Sequence, residues 1–123
     1  MGKQIEIKWL PEPGENNYPA AESYLSLIYD DKTASAFVSK LKTAPVSTFA
    51  AKDIFRASGL SLLGISNSQV EKDREKIKDG KPLSPILLVR DGRNGKVIIA
   101  DGYHRMCAVY SFDDVALIPV WIV

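Results

Sequence analysis

The run Ala100-Asp101-Gly102-Tyr103-His104-Arg105 brings together residue types that handle anions and protons. It follows an unbroken apolar stretch, Val97-Ile98-Ile99, and opens a segment over 103–111 in which Met106, Cys107, Val109 and Tyr110 suit the inward face of a helix. A strand that turns directly into a helix leaves the first backbone N–H groups unpaired, and the helix dipole adds partial positive charge at that spot. Anions bind at such turns. Gly102 lets a ligand or the turn itself approach the backbone closely, and Arg105 in the first helical turn can meet a phosphate or carboxylate through two parallel hydrogen bonds. His104, the one histidine of the chain, can donate to an oxyanion or shuttle a proton. Asp101 can cap the helix, orient His104 or Arg105, or ligate Mg²⁺ bridged to phosphates. A cap with a surface salt bridge accounts for the same residues, and spacing alone leaves both readings open.

The elements that must position this turn are written in the hydrophobic pattern. Ile86-Leu-Leu-Val89 and Val97-Ile-Ile-Ala100 are apolar without alternation, which predicts strands near 85–90 and 96–101 covered on both faces. Asp91-Gly92 and Asn94-Gly95 make the connection a hairpin turn. Its Arg90 and Arg93 are expected in solvent, although the tip of a β-ribbon is also a place where a partner docks. Ile5, Ile7 and Trp9 alternate with Glu6 and Lys8, predicting a strand near 4–10 closed by Pro11 and Pro13. Strands are also expected near 46–50 and 117–123. Apolar spacing predicts helices near 20–30 and 33–43, divided at Asp30-Asp31-Lys32. Ser68 and Glu71 have the form of a capping box for a helix near 69–79, stopped by Gly80 and Pro82. Only Val70 and Ile77 are apolar in it, so Glu71 to Asp79 reads as a solvated face of paired charges. Trp9, Trp121, Tyr24, Tyr29 and Tyr110 are expected in the core. The sum is one α+β domain over 1–123, a small mixed sheet of about five strands with flanking helices, residues 1–45 forming a mostly helical addition.

Composition narrows the function. Sixteen Lys+Arg stand against 15 Asp+Glu, a net charge of +1, which offers no electrostatic footprint for nucleic acid. One cysteine with one histidine provides neither an intramolecular disulfide nor a zinc site of the usual His/Cys kind. No apolar run has the length of a membrane span and the N-terminus lacks a signal-peptide apolar region, so the expectation is a cytoplasmic protein without a membrane partner.

The stretch from Leu83 to Val123, with Ser84-Pro-Ile, Leu88-Val, the hairpin, Val97-Ile-Ile-Ala-Asp-Gly-Tyr-His-Arg and Ile118-Pro-Val-Trp-Ile, resembles the core of the ParB/sulfiredoxin-like superfamily. Helix 69–79 followed by Gly80-Lys-Pro-Leu-Ser-Pro fits the same layout. The families of this superfamily include ParB partition proteins, which bind and hydrolyse CTP, sulfiredoxins, which use ATP, and free-serine kinases, which use ADP. The resemblance implies nucleotide phosphates held at the strand-to-helix turn by Asp101, Gly102, Tyr103, His104 and Arg105. Of the ParB box, Gly102, Arg105 and Ala108 agree, while Tyr103, His104 and Cys107 replace a Glu and two Arg. Tyr103 stands where the sulfiredoxin motif has its reactive cysteine, which argues against sulfinic acid reduction. The serine-kinase motif Asp-Gly-His-His-Arg is the nearest, matched at Asp101, Gly102, His104 and Arg105.

In that superfamily the segment before the capped helix lies beside the phosphates, which here means Lys52-Asp-Ile-Phe-Arg-Ala-Ser58, either a single helical turn or an ordered loop closed by Gly59. The resemblance makes Asp53 a candidate base beside His104, with Lys52 and Arg56 as candidate phosphate contacts. The alternative is a short helix with Ile54 and Phe55 inward and its charges in water. The expected function is binding of ATP, ADP or CTP with Mg²⁺, accompanied by nucleotide hydrolysis or phosphotransfer. The competing expectations are a non-catalytic nucleotide-binding or interaction module, possible as an oligomer, and a partition-associated protein without the helix-turn-helix that ParB proteins carry after this domain.

Overall fold

Every residue from Ile86 to Val89 is buried, and successive side chains of a strand point to opposite faces. That strand therefore needs a helical layer on each side. A computed structural model, describing residues 6–64 and 66–123, supplies both. The elements in chain order are α1 (Asn17–Leu25), α2 (Asp31–Thr43), β1 (Val46–Ala50), α3 (Ala51–Ser58), α4 (Ser68–Lys78), β2 (Ile86–Asp91), a 3₁₀ turn (Gly92–Asn94), β3 (Lys96–Asp101), α5 (Tyr103–Phe112) and β4 (Leu117–Ile122). The fold is a mixed α+β arrangement in which the strands lie in the order β1-β4-β2-β3. β2 is antiparallel to β3 and parallel to β4, and β1 closes the far edge antiparallel to β4.

Ile86, Leu88, Ile99, Ile118 and Val120 face a core shared with α3, α4 and α5. Leu87, Val89, Ala100 and Trp121 face a second core made by Ala21 and Leu25 of α1 and Ala34, Val38 and Leu41 of α2. Burying each Leu or Ile stabilises the fold by about 1.5–3 kcal/mol. The parallel step from β2 to β4 is made through β3 and α5, which is why a helix begins where β3 ends.

Several expectations are corrected. The sheet has four strands among the described residues. Residues 4 and 5 of the expected first strand lie outside the described residues, and the rest contributes only a bridge between Trp9 and Leu83, held by Leu10 N–H to Leu83 O and Leu83 N–H to Lys8 O, each 2.8 Å. Pro82 and Pro85 flank Leu83, and neither has an N–H with which to extend a ladder. The first helix starts earlier and stops at Leu25, leaving Leu27 83% exposed and Tyr24 outside the core. The segment 51–58 is a helix of eight residues, ended by Gly59 at φ 67°. The cap of α4 is Asn67, whose Oδ1 accepts from Gln69 N–H at 3.0 Å and Val70 N–H at 3.1 Å, with Ser68 already helical.

Asn67→Ala should destabilise the protein by about 1 kcal/mol, whereas Ser68→Ala should have a much smaller effect. Urea unfolding of the two variants distinguishes this cap from the one expected at Ser68.

Candidate functional site

β3 ends at Asp101 and α5 begins at Tyr103, so a single residue makes the whole change of direction. That residue is Gly102, at φ 110°. A Cβ here would sit 2.8 Å from Ile86 Cγ1 and 2.9 Å from Arg105 Nη2, so both the backbone conformation and the space demand glycine. The helix has no side-chain cap, and its first ordinary bond runs from Met106 N–H to Gly102 O at 2.9 Å. The N–H groups of Tyr103, His104 and Arg105 thus have no acceptor within the helix, and they mark its positive end.

Asp101 does not cap the helix; it holds Arg105. Its Oδ2 accepts from Arg105 Nη2 at 3.0 Å, across one turn, with both side chains less than one-fifth exposed. The same nitrogen donates to Pro85 O at 3.2 Å. Arg105 Nε is buried with no hydrogen-bond partner among the described residues. A second donor to Asp101 Oδ2 is Asn17 Nδ2, from the first residue of α1. Ser84 Oγ donates to Asn17 Oδ1 at 3.1 Å and accepts from Gly14 N–H at 3.0 Å. The loop entering α1 is in this way tied to the turn through polar contacts.

On the other face of the sheet, Asp73 projects from α4 toward the same group. Burial pushes its carboxyl above the ordinary carboxylate range, although Arg105, Lys76 and His104 pull it down. The Tyr103 hydroxyl donates to Ser61 O, and its ring lies 5.4 Å from that of His104. Cys107 is fully buried in α5, and burial raises its thiol pKa. That keeps the thiol protonated and unreactive.

The structure places Asp101, Gly102, Tyr103, His104 and Arg105 together and leaves Lys52, Asp53 and Arg56 elsewhere. Lys52 N–H donates to Asp114 O, beyond the far end of α5. Asp53 pairs with Lys52 at 3.0 Å and borders a groove that Arg90, Gly92 and Lys96 also line. His104 is at the start of α5, a helix of ten residues spanning about 15 Å. Asp53 is therefore no partner for His104. The segment that does pass the turn is the loop after α3, through Ser61 and Leu63.

Two residues of the site escape the sequence reading. Asp73 lies three residues from Val70 and four from Ile77, hence on the buried face of α4, and that spacing was a usable signal. Asn17 has none, because its role depends on a contact 84 residues away in the chain.

Gly102→Ala should cost at least about 1–3 kcal/mol, from the left-handed backbone together with the contact to Ile86. Thermal unfolding checks this, and a loss no greater than that of Gly64→Ala contradicts it, since Gly64 has open space around it. Asp73 supplies a test of sign. A carboxyl whose folded pKa lies above its unfolded value, about 3.9 for Asp, contributes stability below that value and loses it as pH rises through the folded pKa. Asp73→Asn should accordingly raise Tm relative to the parent at neutral pH, with the gain vanishing as pH falls below about 3.9. A difference independent of pH would contradict the burial of this carboxyl. No family model matches the chain, and no curated protein and no solved structure matches it.

Proposed function

We propose that the Asp101–Arg105 turn binds the phosphate groups of a nucleotide, with Mg²⁺-dependent hydrolysis or phosphotransfer as its activity. The single observation that carries the reading is the placement of Arg105. Asp101 and the Pro85 carbonyl fix its guanidinium beside an uncapped helix N-terminus while its Nε stays unpartnered. Fixed charge and free N–H groups at one point favour an anion, and a guanidinium already held in place loses little freedom on meeting it. The resemblance to the ParB/sulfiredoxin-like superfamily supports a nucleotide over a simple anion, because its families hold phosphates at the corresponding turn.

The roles follow from position. The N–H groups of Tyr103, His104 and Arg105 and the Arg105 guanidinium take phosphate oxygens. His104 donates to a phosphate oxygen or carries a proton. Asp73, with a carboxyl inclined to keep its proton and close enough to His104 and Arg105 to feel their charge, replaces Asp53 as the candidate acid or base. Asp101 is the carboxylate available to a phosphate-bound Mg²⁺, which would supply charge neutralisation on the phosphates.

A second reading, a phosphate-binding module without turnover, is favoured by the remoteness of Asp53, which leaves the turn without the base that the resemblance implied. Autonomous DNA binding gains no support from a net charge of +1.

Isothermal calorimetry with ATP, ADP, CTP and GTP, with and without Mg²⁺, tests the proposal. At least one nucleotide should bind at millimolar concentration or below, and Arg105→Ala should weaken it by about 1.5–3 kcal/mol, the range for a hydrogen bond to a charged group. No binding by any of the four, or an unchanged affinity in the variant, overturns the site. Turnover that falls in His104→Ala and Asp73→Asn supports an enzyme; binding without turnover supports the module.

A further inference from the structure

At the opposite end of β3 from the turn, α3 ends with Gly59 against the side chain of Lys96, the first residue of β3. A cavity of about 410 Å³ lies between α3 and the hairpin. This is within the size range of small-ligand sites. Its floor is Ile54, Leu88, Val97 and Ile122, with Phe49 as one wall. Ile54, Leu88 and Val97 belong to the main core, so the floor is part of the rigid body of the fold.

The charges at the mouth are unequal. Arg90 and Lys96 stand on adjacent antiparallel strands, and neither makes an ion pair among the described residues. The backbone of Arg90 is pinned by its N–H to Val123 O at 2.8 Å, and the end of the Lys96 side chain, ammonium included, lies beside Gly59 at the end of α3. Asp53, on the opposite side, is already compensated by Lys52 at 3.0 Å. Two cations outside any ion pair, beside a carboxylate that is already compensated, favour an anionic ligand. The guanidinium of Arg90 suits the planar oxygens of a carboxylate, and the aliphatic floor with its phenyl wall suits an apolar body. Gly92 and Gly95 line the entrance, and no atom lies within 4 Å of where a Cβ on either would stand.

We infer that this cavity is a binding site for a small organic monocarboxylate with an aromatic or branched apolar body, its carboxylate held by Arg90 and Lys96. It is separate from the turn at Asp101–Arg105 and does not depend on nucleotide binding there.

Phenylacetate and its neutral analogue benzyl alcohol are the probes, followed by amide chemical shifts and by calorimetry on the full chain. Phenylacetate should shift the amides of Arg90 to Val97 and of Asp53 to Ala57, and should bind more tightly than benzyl alcohol. Arg90→Gln and Lys96→Gln, singly and together, should weaken phenylacetate by about tenfold or more in the double variant while leaving benzyl alcohol unaffected. Both positions are exposed, so circular dichroism should report an unchanged fold. Arg105→Ala should leave phenylacetate binding unaltered, which separates failure of this site from failure of the phosphate site. Equal affinity for the two probes, shifts confined to other residues, or a double variant that binds phenylacetate as the parent does would each overturn the inference.

Discussion

The constraint on which the rest of the molecule depends is that β2 has no face turned to water. Four consecutive buried side chains, Ile86 to Val89, cannot be satisfied by one helical layer, since alternate residues point in opposite directions. The chain answers with α1 and α2 on one side and α3, α4 and α5 on the other. β2 also bonds on both edges, to β3 and to β4. Because the pairing with β4 is parallel, a crossover is required between them, and α5 is the helix of that crossover.

The polar turn is a by-product of this layering. It forms where an inner strand's neighbour ends and the crossover helix starts, so both helical layers come within reach of it. α1 contributes Asn17 from one side of the sheet and α4 brings Asp73 toward it from the other, with β3 and α5 supplying Asp101 and Arg105. Charges less than one-fifth exposed are held only when they are paired and hydrogen-bonded. Asp101 meets that requirement with two donors on one oxygen. Arg105 meets it only in part, and its unpartnered Nε beside free helical N–H groups is the electrostatic reason for reading the turn as an anion site.

Much of this was legible beforehand, and the parts that were not share a cause. The unbroken apolar runs at 86–89 and 97–100 announced strands covered on both faces, and Gly95 with Asn94 announced their turn. Asp101 to Arg105 stood out because residue types and spacing are local properties. The capping position of α4 was misjudged by one residue because Asn67 and Ser68 are both good caps, and the choice between them is made by packing of Val70 and Ile77 against the core. Tyr24, Leu27 and Ile28 followed a helical spacing and nevertheless face solvent, since α1 stops once Leu25 is buried. Asp53 was placed by analogy beside the phosphates and lies past the far end of α5, because Ala51 and Lys52 are tied to the loop after that helix by bonds to Ala116 and Asp114.

What the amino-acid order determined by itself was everything that depends on neighbours along the chain: the strand runs, the hairpin, the stops at Gly59 and Gly80, and the anion-suited turn around Gly102. Only the tertiary structure decided which distant groups meet at that turn. Asn17 reaches Asp101 across 84 positions, and Asp73 feels Arg105 and His104 from a helix that looked purely solvated. The physical reason is that a strand buried on both faces draws in helices from remote parts of the chain, and which polar side chains they carry to its end is set by how those helices pack.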